Sequence, residues 1–187
     1  MAMPDPAGNW TVSMLETLPE DGQRYEIIDG ALYVTPSPRV RHQQVITNLA
    51  AILQPYVARA GGALVLVSPA DVRKGGDTSV QPDLFVVRLS ADGRVVVPIK
   101  LSDLLLVIEV LSDRTARSDR QDKRWLYQRE GVAEYWIVDA EAWVIECWRP
   151  GDDRPEILSE EIRWRYTDSA EALVISLPAF FAALIPD

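Results

Sequence analysis

Three acidic residues interrupt stretches of the chain that are otherwise apolar. Glu26 lies in YEIID, Asp83 in QPDLFVV and Glu109 in LLLVIEVL. An ionised carboxylate in an apolar medium is very unfavourable unless a cation, a metal or a proton compensates its charge. If the three carboxylates meet in space, a divalent cation is the natural compensation, and oxygen ligands suit Mg²⁺ or Mn²⁺. For Glu109, the alternative is a structural acid that reaches solvent at a strand end or pairs with a buried arginine.

The polar segment after Glu109 carries two groups of charged side chains. Asp119, Lys123 and Tyr127 are spaced four residues apart, so they lie on one face of a helix. An exposed ion pair between Asp119 and Lys123 is the alternative explanation of that spacing. A neighbouring face carries arginines at spacings of three and four, namely Arg117, Arg120 and Arg124. This second face predicts either a local basic patch or a solvated helix surface.

Apolar patterns predict the elements that must position these residues. Strands at 24–28 and 31–35 form a hairpin across Asp29-Gly30, and a helix at 39–59 stops at the glycines that follow it, with Pro55 kinking or shortening its end. The remaining predictions are a short helix at 12–18, strands at 63–67, 83–87, 104–111, 135–139, 143–148, 163–166 and 173–175, a loop at 74–77 and a helix at 115–130. This order indicates an α/β fold with a mixed sheet.

Composition limits the class of protein. The 187 residues and the 48% hydrophobic content suit one domain at 1–187, with an N-terminal arm at 1–22 and a core at 23–187. The single cysteine and single histidine exclude thiolate or multi-histidine metal sites, and the net charge of −9 argues against non-specific coating of nucleic acid. No apolar run is long enough to span a membrane and no targeting segment is recognisable, so a cytoplasmic location and no membrane partner are expected.

Several motifs in the same order resemble the Uma-two family of restriction-endonuclease-like proteins, within the PD-(D/E)XK nuclease superfamily. They are YEIIDG at 25–30, His42, PD at 82–83, IEVLS at 108–112, Asp119, Lys123, Tyr127, GV at 131–132 and EYWIVD at 134–139. The resemblance covers about residues 18–184. It implies a restriction-endonuclease-like core, with a mixed central β-sheet flanked by helices and an N-terminal β-hairpin.

The resemblance also implies metal-dependent endonuclease activity on the phosphodiester bonds of DNA. Asp83 and Glu109, with the backbone carbonyl of Val110, would hold Mg²⁺ or Mn²⁺. Lys123 would orient the attacking water or stabilise the developing charge. Glu26 could complete the metal shell or anchor a second ion, or it could be a hairpin residue that faces solvent.

One position departs from the superfamily pattern. Two residues after Glu109, where a lysine normally points into the site, the chain has Leu111. Similar families carry this lysine on the following helix, where Lys123 lies. A long flexible ammonium side chain needs only its tip near the reacting phosphate, so the displacement is physically reasonable.

The remaining expectations concern contacts and partners. Residues expected to contact nucleic acid are Arg39, Arg41, His42, Arg117, Arg120 and Arg124, and Asp119 and Tyr127 are expected to support the site. The bulky aromatic residues suggest a homodimer, since interface cores are enriched in them. Two other functions stay open, which are a nuclease-like fold kept for partner or nucleic-acid binding and a hydrolase of small phosphate esters.

Overall fold

A short helical turn precedes the first strand. The computed structural model describes residues 9–19 and 21–185, so residues 1–8 and Glu20 of the predicted N-terminal arm lie outside the described part. Within the arm, α1 (Val12–Leu15) is a single turn, shorter than the helix predicted at 12–18.

The N-terminal hairpin matches its prediction in position and register. Strands β1 (Arg24–Ile28) and β2 (Ala31–Thr35) pair along their full length. Asp29 and Gly30 connect them with φ angles of 49° and 80°. A two-residue hairpin turn of the I′ type requires positive φ at both positions, which asparagine, aspartate and glycine adopt most readily.

The hairpin belongs to a five-stranded sheet of mostly short strands. Its order is β2-β1-β5-β4-β7, with β4 (Val72–Lys74), β5 (Thr78–Val80) and β7 (Ile99–Lys100). β1 meets β5 at a single paired position, Ile27 with Ser79. Residues on both sides of the predicted loop at 74–77 therefore pair as strands, which are too short to show a period in the sequence.

The main sheet has six strands in the order β11-β10-β9-β8-β6-β3. Its strands are β3 (Ala63–Val67), β6 (Leu84–Arg88), β8 (Leu104–Val110), β9 (Tyr135–Asp139), β10 (Val144–Trp148) and β11 (Glu156–Leu158). β8 and β9 are parallel and the other neighbours are antiparallel, so the predicted mixed sheet is confirmed.

The central strands separate two hydrophobic cores. All seven residues of β8 are buried, and alternate side chains point to opposite faces of the sheet. Leu106 and Ile108 join one core, while Val107 joins the other. Glu109 has the parity of Val107 and therefore points to the second face, where the hairpin and the helical segment after β8 also lie.

Helix α2 (Val40–Ala60) has the length of the helix predicted at 39–59 and begins one residue later. Pro55 lies inside it without ending it, so of the two expected effects, a kink or a shortened end, the shortened end was wrong. A proline removes only the hydrogen bond to the carbonyl four residues earlier, that of Ala51, and both residues are exposed to water. Gly61 ends the helix with a φ of 77°. No helix of the described residues, including this one, combines the length and apolarity needed to cross a membrane.

The segment predicted as one helix at 115–130 is helical but contains a wider turn. It consists of α3 (Ala116–Ser118), a π-helical turn (Asp119–Lys123) and α4 (Arg124–Arg129). A π turn holds more residues than an α-helical turn and frequently occurs at functional sites. Asp119 and Lys123, at its two ends, are both buried.

The C-terminal part covers the first core. Strands β12 (Glu161–Trp164) and β13 (Leu173–Ser176) form a separate antiparallel pair, and α5 (Leu177–Ala182) follows directly. Trp164 is 2% exposed, and its ring centroid lies 6.2 Å from that of Trp136 on the main sheet. Helix α5, only six residues long, was not predicted.

We expect Trp164→Ala to destabilise the protein by about 3–5 kcal/mol, because it removes a fully buried ring and leaves a cavity. Chemical denaturation measures the change. Trp125→Ala is the matched control, since Trp125 is 59% exposed and its loss should change stability by no more than about 0.5 kcal/mol. Equal effects of the two substitutions would contradict the described packing of the C-terminal part.

Candidate active site

The three carboxylates predicted to converge line one cleft of about 630 Å³. Leu84 of β6 pairs with Ile108 of β8, so the preceding Asp83 lies beside Glu109 on the neighbouring strand. The backbone N–H of Val110 donates a hydrogen bond to Oδ2 of Asp83 at 2.9 Å. Two antiparallel strands thus bring together carboxylates that are 26 residues apart in the sequence.

The hairpin supplies a third carboxylate and an arginine. Oε1 of Glu26 accepts a hydrogen bond from the backbone N–H of Gln81 at 2.7 Å. Arg24 donates from Nη1 to Oδ1 of Asp83 at 2.9 Å and to the carbonyl of Gln81 at 3.1 Å. Glu26 is therefore buried in the cleft and does not face solvent. Arg24 was missed in the sequence, although its position two residues before Glu26 places both on one face of β1.

Lys123 lies between three carboxylates. Its Nζ is 2.9 Å from Oε1 of Glu109, 3.1 Å from Oε2 of Glu26 and 3.9 Å from Oδ1 of Asp119. None of these four residues is more than 4% exposed. The alternative of an exposed ion pair between Asp119 and Lys123 is therefore wrong. The hydroxyl of Tyr127 also donates to Oε1 of Glu109, at 3.1 Å.

Asp83 is held by side-chain and backbone donors. Nε2 of His42, on the first turn of α2, lies 3.0 Å from Oδ2 of Asp83. Burial alone would raise the pKa of Asp83, but His42 and Arg24 outweigh it and hold that pKa below its ordinary value. Nδ1 of His42 is buried and has no hydrogen-bond partner in the part of the chain that the structure describes.

The cluster around Lys123 has more carboxylates than cations. Burial raises the pKa of Glu109 well above its ordinary value, while Lys123 opposes this shift and Asp83 adds to it. Burial also raises the pKa of Asp119, to about 7. Burial disfavours the charged form of Lys123 as well, but Glu109, Glu26 and Asp119 outweigh it and raise the pKa of the ammonium group. Lys123 is thus a cation at neutral pH, and the excess carboxylate charge calls for a proton or a metal cation.

Asp83 and Glu109 have the oxygen atoms that a divalent cation would need. A carboxylate offers about four acceptor positions. Asp83 uses three of them, and Oε2 of Glu109 has no hydrogen-bond partner within residues 9–19 and 21–185. The described residues as a whole include no group of three or more Asp, Glu, His or Cys side chains arranged to hold a metal. Mg²⁺ commonly keeps several waters and binds one or two carboxylates plus a substrate phosphate, so the two residues fit the ion.

The basic residues predicted to contact nucleic acid are divided between two surfaces. Arg39, Arg41, His42 and Arg120 line the cleft, whereas Arg117 and Arg124 do not. The guanidinium of Arg124 lies 4.9 Å from the ring centroid of Trp148, and Arg117 bonds Gln121. The arginine face predicted from helical spacing is therefore split.

The arginines that line the cleft also differ in whether they form an ion pair with an acid. Arg41 pairs with Glu141, and Arg120 pairs with Glu146. Arg39 is exposed on the rim, as is Arg114, which follows β8 and was not singled out in the sequence. The sequence did offer a signal for Arg114, because this arginine follows Glu109 by five residues in a loop that must border the site.

Leu111 lies in the lining of the cleft, and the ammonium of Lys123 contacts Glu109 from the following helix. The π turn helps to explain why the lysine can lie on this helix and a leucine at position 111, because the turn brings Asp119 and Lys123, at its two ends, to the buried side. The position of Nζ beside Glu109 agrees with the displacement of the lysine that the resemblance implied.

The fold and this arrangement of acids with one lysine define a restriction-endonuclease-like class. The chain belongs to the Uma2 family, described as putative restriction endonuclease, whose family model matches residues 12–180. A similar solved structure is a putative nuclease belonging to DUF820 from Anabaena variabilis, with a TM-score of 0.76 and 20% identity, covering 92% of this chain and 98% of that one. No curated protein sequence matches the chain.

We expect Asp119→Asn to alter the pH dependence of stability in metal-free buffer. The pKa of this carboxyl rises from 3.8 to about 7 on folding, so between these values the native state binds more protons than the unfolded state. As the pH rises across this range, this group should therefore lower the stability of the wild-type protein by up to about 1.4 kcal/mol per pH unit. The asparagine variant should lack that contribution. Denaturation at several pH values measures it. Asp113→Asn, at an exposed position, should retain the wild-type dependence, and an identical profile for Asp119→Asn would contradict the buried carboxyl.

We expect Lys123→Met to destabilise the protein by about 3–5 kcal/mol, because it leaves buried carboxylates without their cation. Glu109→Gln should cost less than about 1.5 kcal/mol, since Lys123 keeps Glu26 at 3.1 Å and the glutamine oxygen can accept the same hydrogen bonds. Thermal and chemical denaturation of both variants without metal measures the difference. A greater loss of stability for Glu109→Gln than for Lys123→Met would be inconsistent with the pairing of Lys123 to more than one carboxylate.

Proposed function

We propose that the protein is a divalent-metal-dependent endonuclease that hydrolyses phosphodiester bonds in DNA. The observation that carries this proposal is the meeting of Asp83, Glu109 and Lys123 at one cleft whose rim carries Arg39 and Arg114. Membership of a family of putative restriction endonucleases supports the same reaction class.

Asp83 and Glu109 would hold Mg²⁺ or Mn²⁺, with the backbone carbonyl of Val110 as a further oxygen ligand. When bound, such an ion polarises a phosphoryl oxygen and lowers the pKa of a coordinated water. Arg24 and His42 fix the orientation of the Asp83 carboxylate through hydrogen bonds of 2.9 and 3.0 Å. Such outer partners hold a ligand in the geometry that the ion requires.

Lys123 acts as an electrostatic stabiliser in this proposal. Its raised pKa keeps the ammonium protonated at neutral pH, so it cannot serve as a base. A protonated ammonium group suits both roles predicted from the sequence, which are orienting the attacking water and stabilising the negative charge that develops on the phosphate. Glu26 orients the ammonium from the hairpin side at 3.1 Å.

DNA would contact the rim of the cleft through a local basic surface. The net charge of −9 opposes general attraction to phosphate, so the contacts must be local. Arg39 and Arg114 suit this role best, because neither forms an ion pair with an acid among the described residues. Arg41 and Arg120 would first have to leave Glu141 and Glu146. A homodimer and a cytoplasmic location stay predictions.

We expect the purified protein to cleave plasmid DNA with Mg²⁺ or Mn²⁺ and to lose this activity in EDTA. Glu109→Gln should lower the rate at least about a hundredfold, comparable to the loss of one electrostatic stabiliser of a transition state. Gel electrophoresis of supercoiled plasmid measures the nicked and linear products. The stability measurement on the same variant shows whether the fold is retained.

The matched control for cleavage is Glu171→Gln, which changes an exposed carboxylate far along the chain and should cleave at the wild-type rate. Persistent cleavage in EDTA, or unchanged cleavage by Glu109→Gln, would refute the mechanism. DNA binding without cleavage under every metal condition would instead indicate the alternative function, a nuclease fold kept for recognition.

A further inference from the structure

A second groove adjoins the site cleft. Its volume is about 670 Å³, within the range of about 300–1,000 Å³ typical of small-molecule sites. Residues 35–38, which connect β2 to α2, line both cavities, and so does Arg24. A ligand that extends from the catalytic cleft over this shared wall would therefore enter the second groove.

The two cavities differ in chemistry. The catalytic cleft is lined by several acids and several cations, whereas Arg24 is the one charged residue among the described residues that line the groove. The other polar groups of the groove are amides and hydroxyls, and its apolar groups include alanines, prolines and two branched side chains, Ile46 and Val67. Such a surface suits a neutral ligand with hydrogen-bonding edges and apolar faces, and it does not suit a phosphate.

One face of α2 forms a wall of the groove. Gln43, Thr47, Ala50, Ala51 and Gln54 line it at the spacing of successive helical turns. The two alanines lie one helical turn before Gln54 and carry only methyl side chains, so they leave room beside Gln54 for a flat ring. Both glutamines are exposed, and neither side-chain amide has a hydrogen-bond partner in the described ranges.

The other two glutamines of the groove are already engaged. The amide of Gln23 donates to Asp21 at 2.9 Å, and the amide of Gln81 donates to Asp71 at 2.9 Å. Gln43 and Gln54 are thus the amides available to a ligand. Each offers two N–H donors and one carbonyl acceptor, the combination that pairs with the edge of a nucleobase.

We propose that this groove binds the nucleobase of a nucleotide next to the cleaved phosphate, with Gln43 and Gln54 as the residues that determine base preference. The inference rests on the proposed function, because the adjoining cleft must hold the phosphate of the same strand. Continuity of the two cavities selects this occupant over a free small molecule. The base must leave its stack to enter, so the groove favours unpaired or easily unpaired positions.

The test uses a series of labelled DNA strands of one sequence, each with a single abasic position, and measures binding by fluorescence anisotropy with Ca²⁺. For wild-type protein, loss of the base at one position should weaken binding about tenfold, which lies within the range of discrimination by a good amide–base pair. Ala51→Phe, which fills the groove, should bind the intact strand as weakly as the abasic strand. Ala58→Phe, at an exposed position of α2 outside the groove, should keep the tenfold difference.

Gln54→Leu provides a second variant that changes hydrogen bonding and little else, and it should reduce the effect of the abasic position. If no abasic position weakens wild-type binding, or if the effect persists in both Ala51→Phe and Gln54→Leu, the groove does not bind a base. Base-dependent binding without metal-dependent cleavage would overturn the proposed function and leave the groove assignment intact. Cleavage with no base-dependent binding would overturn the groove assignment alone.

Discussion

The contact of Lys123 with buried carboxylates is the interaction on which the site depends. A single ammonium group lies within 4 Å of acids from three separate parts of the chain, which are the hairpin, β8 and the π turn. Burying any of these charges alone would be strongly unfavourable, so each part must be in place for the others to be tolerated. The lysine therefore links a catalytic requirement to a structural one. Its protonated state follows from the same carboxylates that it stabilises.

The remaining charge of the site is arranged around this contact. Asp83 lies beside Glu109 because two antiparallel strands hold these positions together, and the repulsion between them is reduced by donors on both sides. Arg24 and His42 bind Asp83, while Lys123 and Tyr127 bind Glu109. The two carboxylates consequently differ in their readiness to take a proton, with a lowered pKa for Asp83 and a raised pKa for Glu109. A cation placed between them would meet two carboxylates that differ in their affinity for protons.

Elements with strong local patterns could be predicted from the sequence. The Asp29-Gly30 turn and the buried run of β8 have signals that depend on neighbouring residues, and both were predicted within a residue. The acids that interrupt apolar runs were also recognisable as site residues, because a buried charge is unfavourable wherever it occurs. Membership of the family was evident from motifs that contain these same residues.

Other features depend on tertiary contacts and left little trace in the sequence. The three-residue strands β4 and β5 are too short to show a period of two, and their pairing is decided by the hairpin and the core. The π turn adds residues to one helical turn. A prediction based on a regular helix therefore places one face wrongly, and this explains the separation of Arg117 and Arg124 from Arg120. The bond between Arg24 and Asp83 joins positions 59 residues apart, and spacing within one element cannot reveal such a pair.

The polar attachment of the hairpin depends more on its side chains and its turn than on strand pairing. β1 pairs with β5 at one position only, while Arg24 and Glu26 bind groups of the site, and Asp29 and Gly30 of the turn bind Arg129, Thr78 and Asp77. The main sheet, by contrast, is held by extended ladders on both sides of β8. The hairpin therefore brings Glu26 to Lys123 and Arg24 to Asp83 without adding a strand to the main sheet. A substitution that shifts the hairpin would change the charged surroundings of Asp83 and Lys123 together, although neither residue belongs to the hairpin.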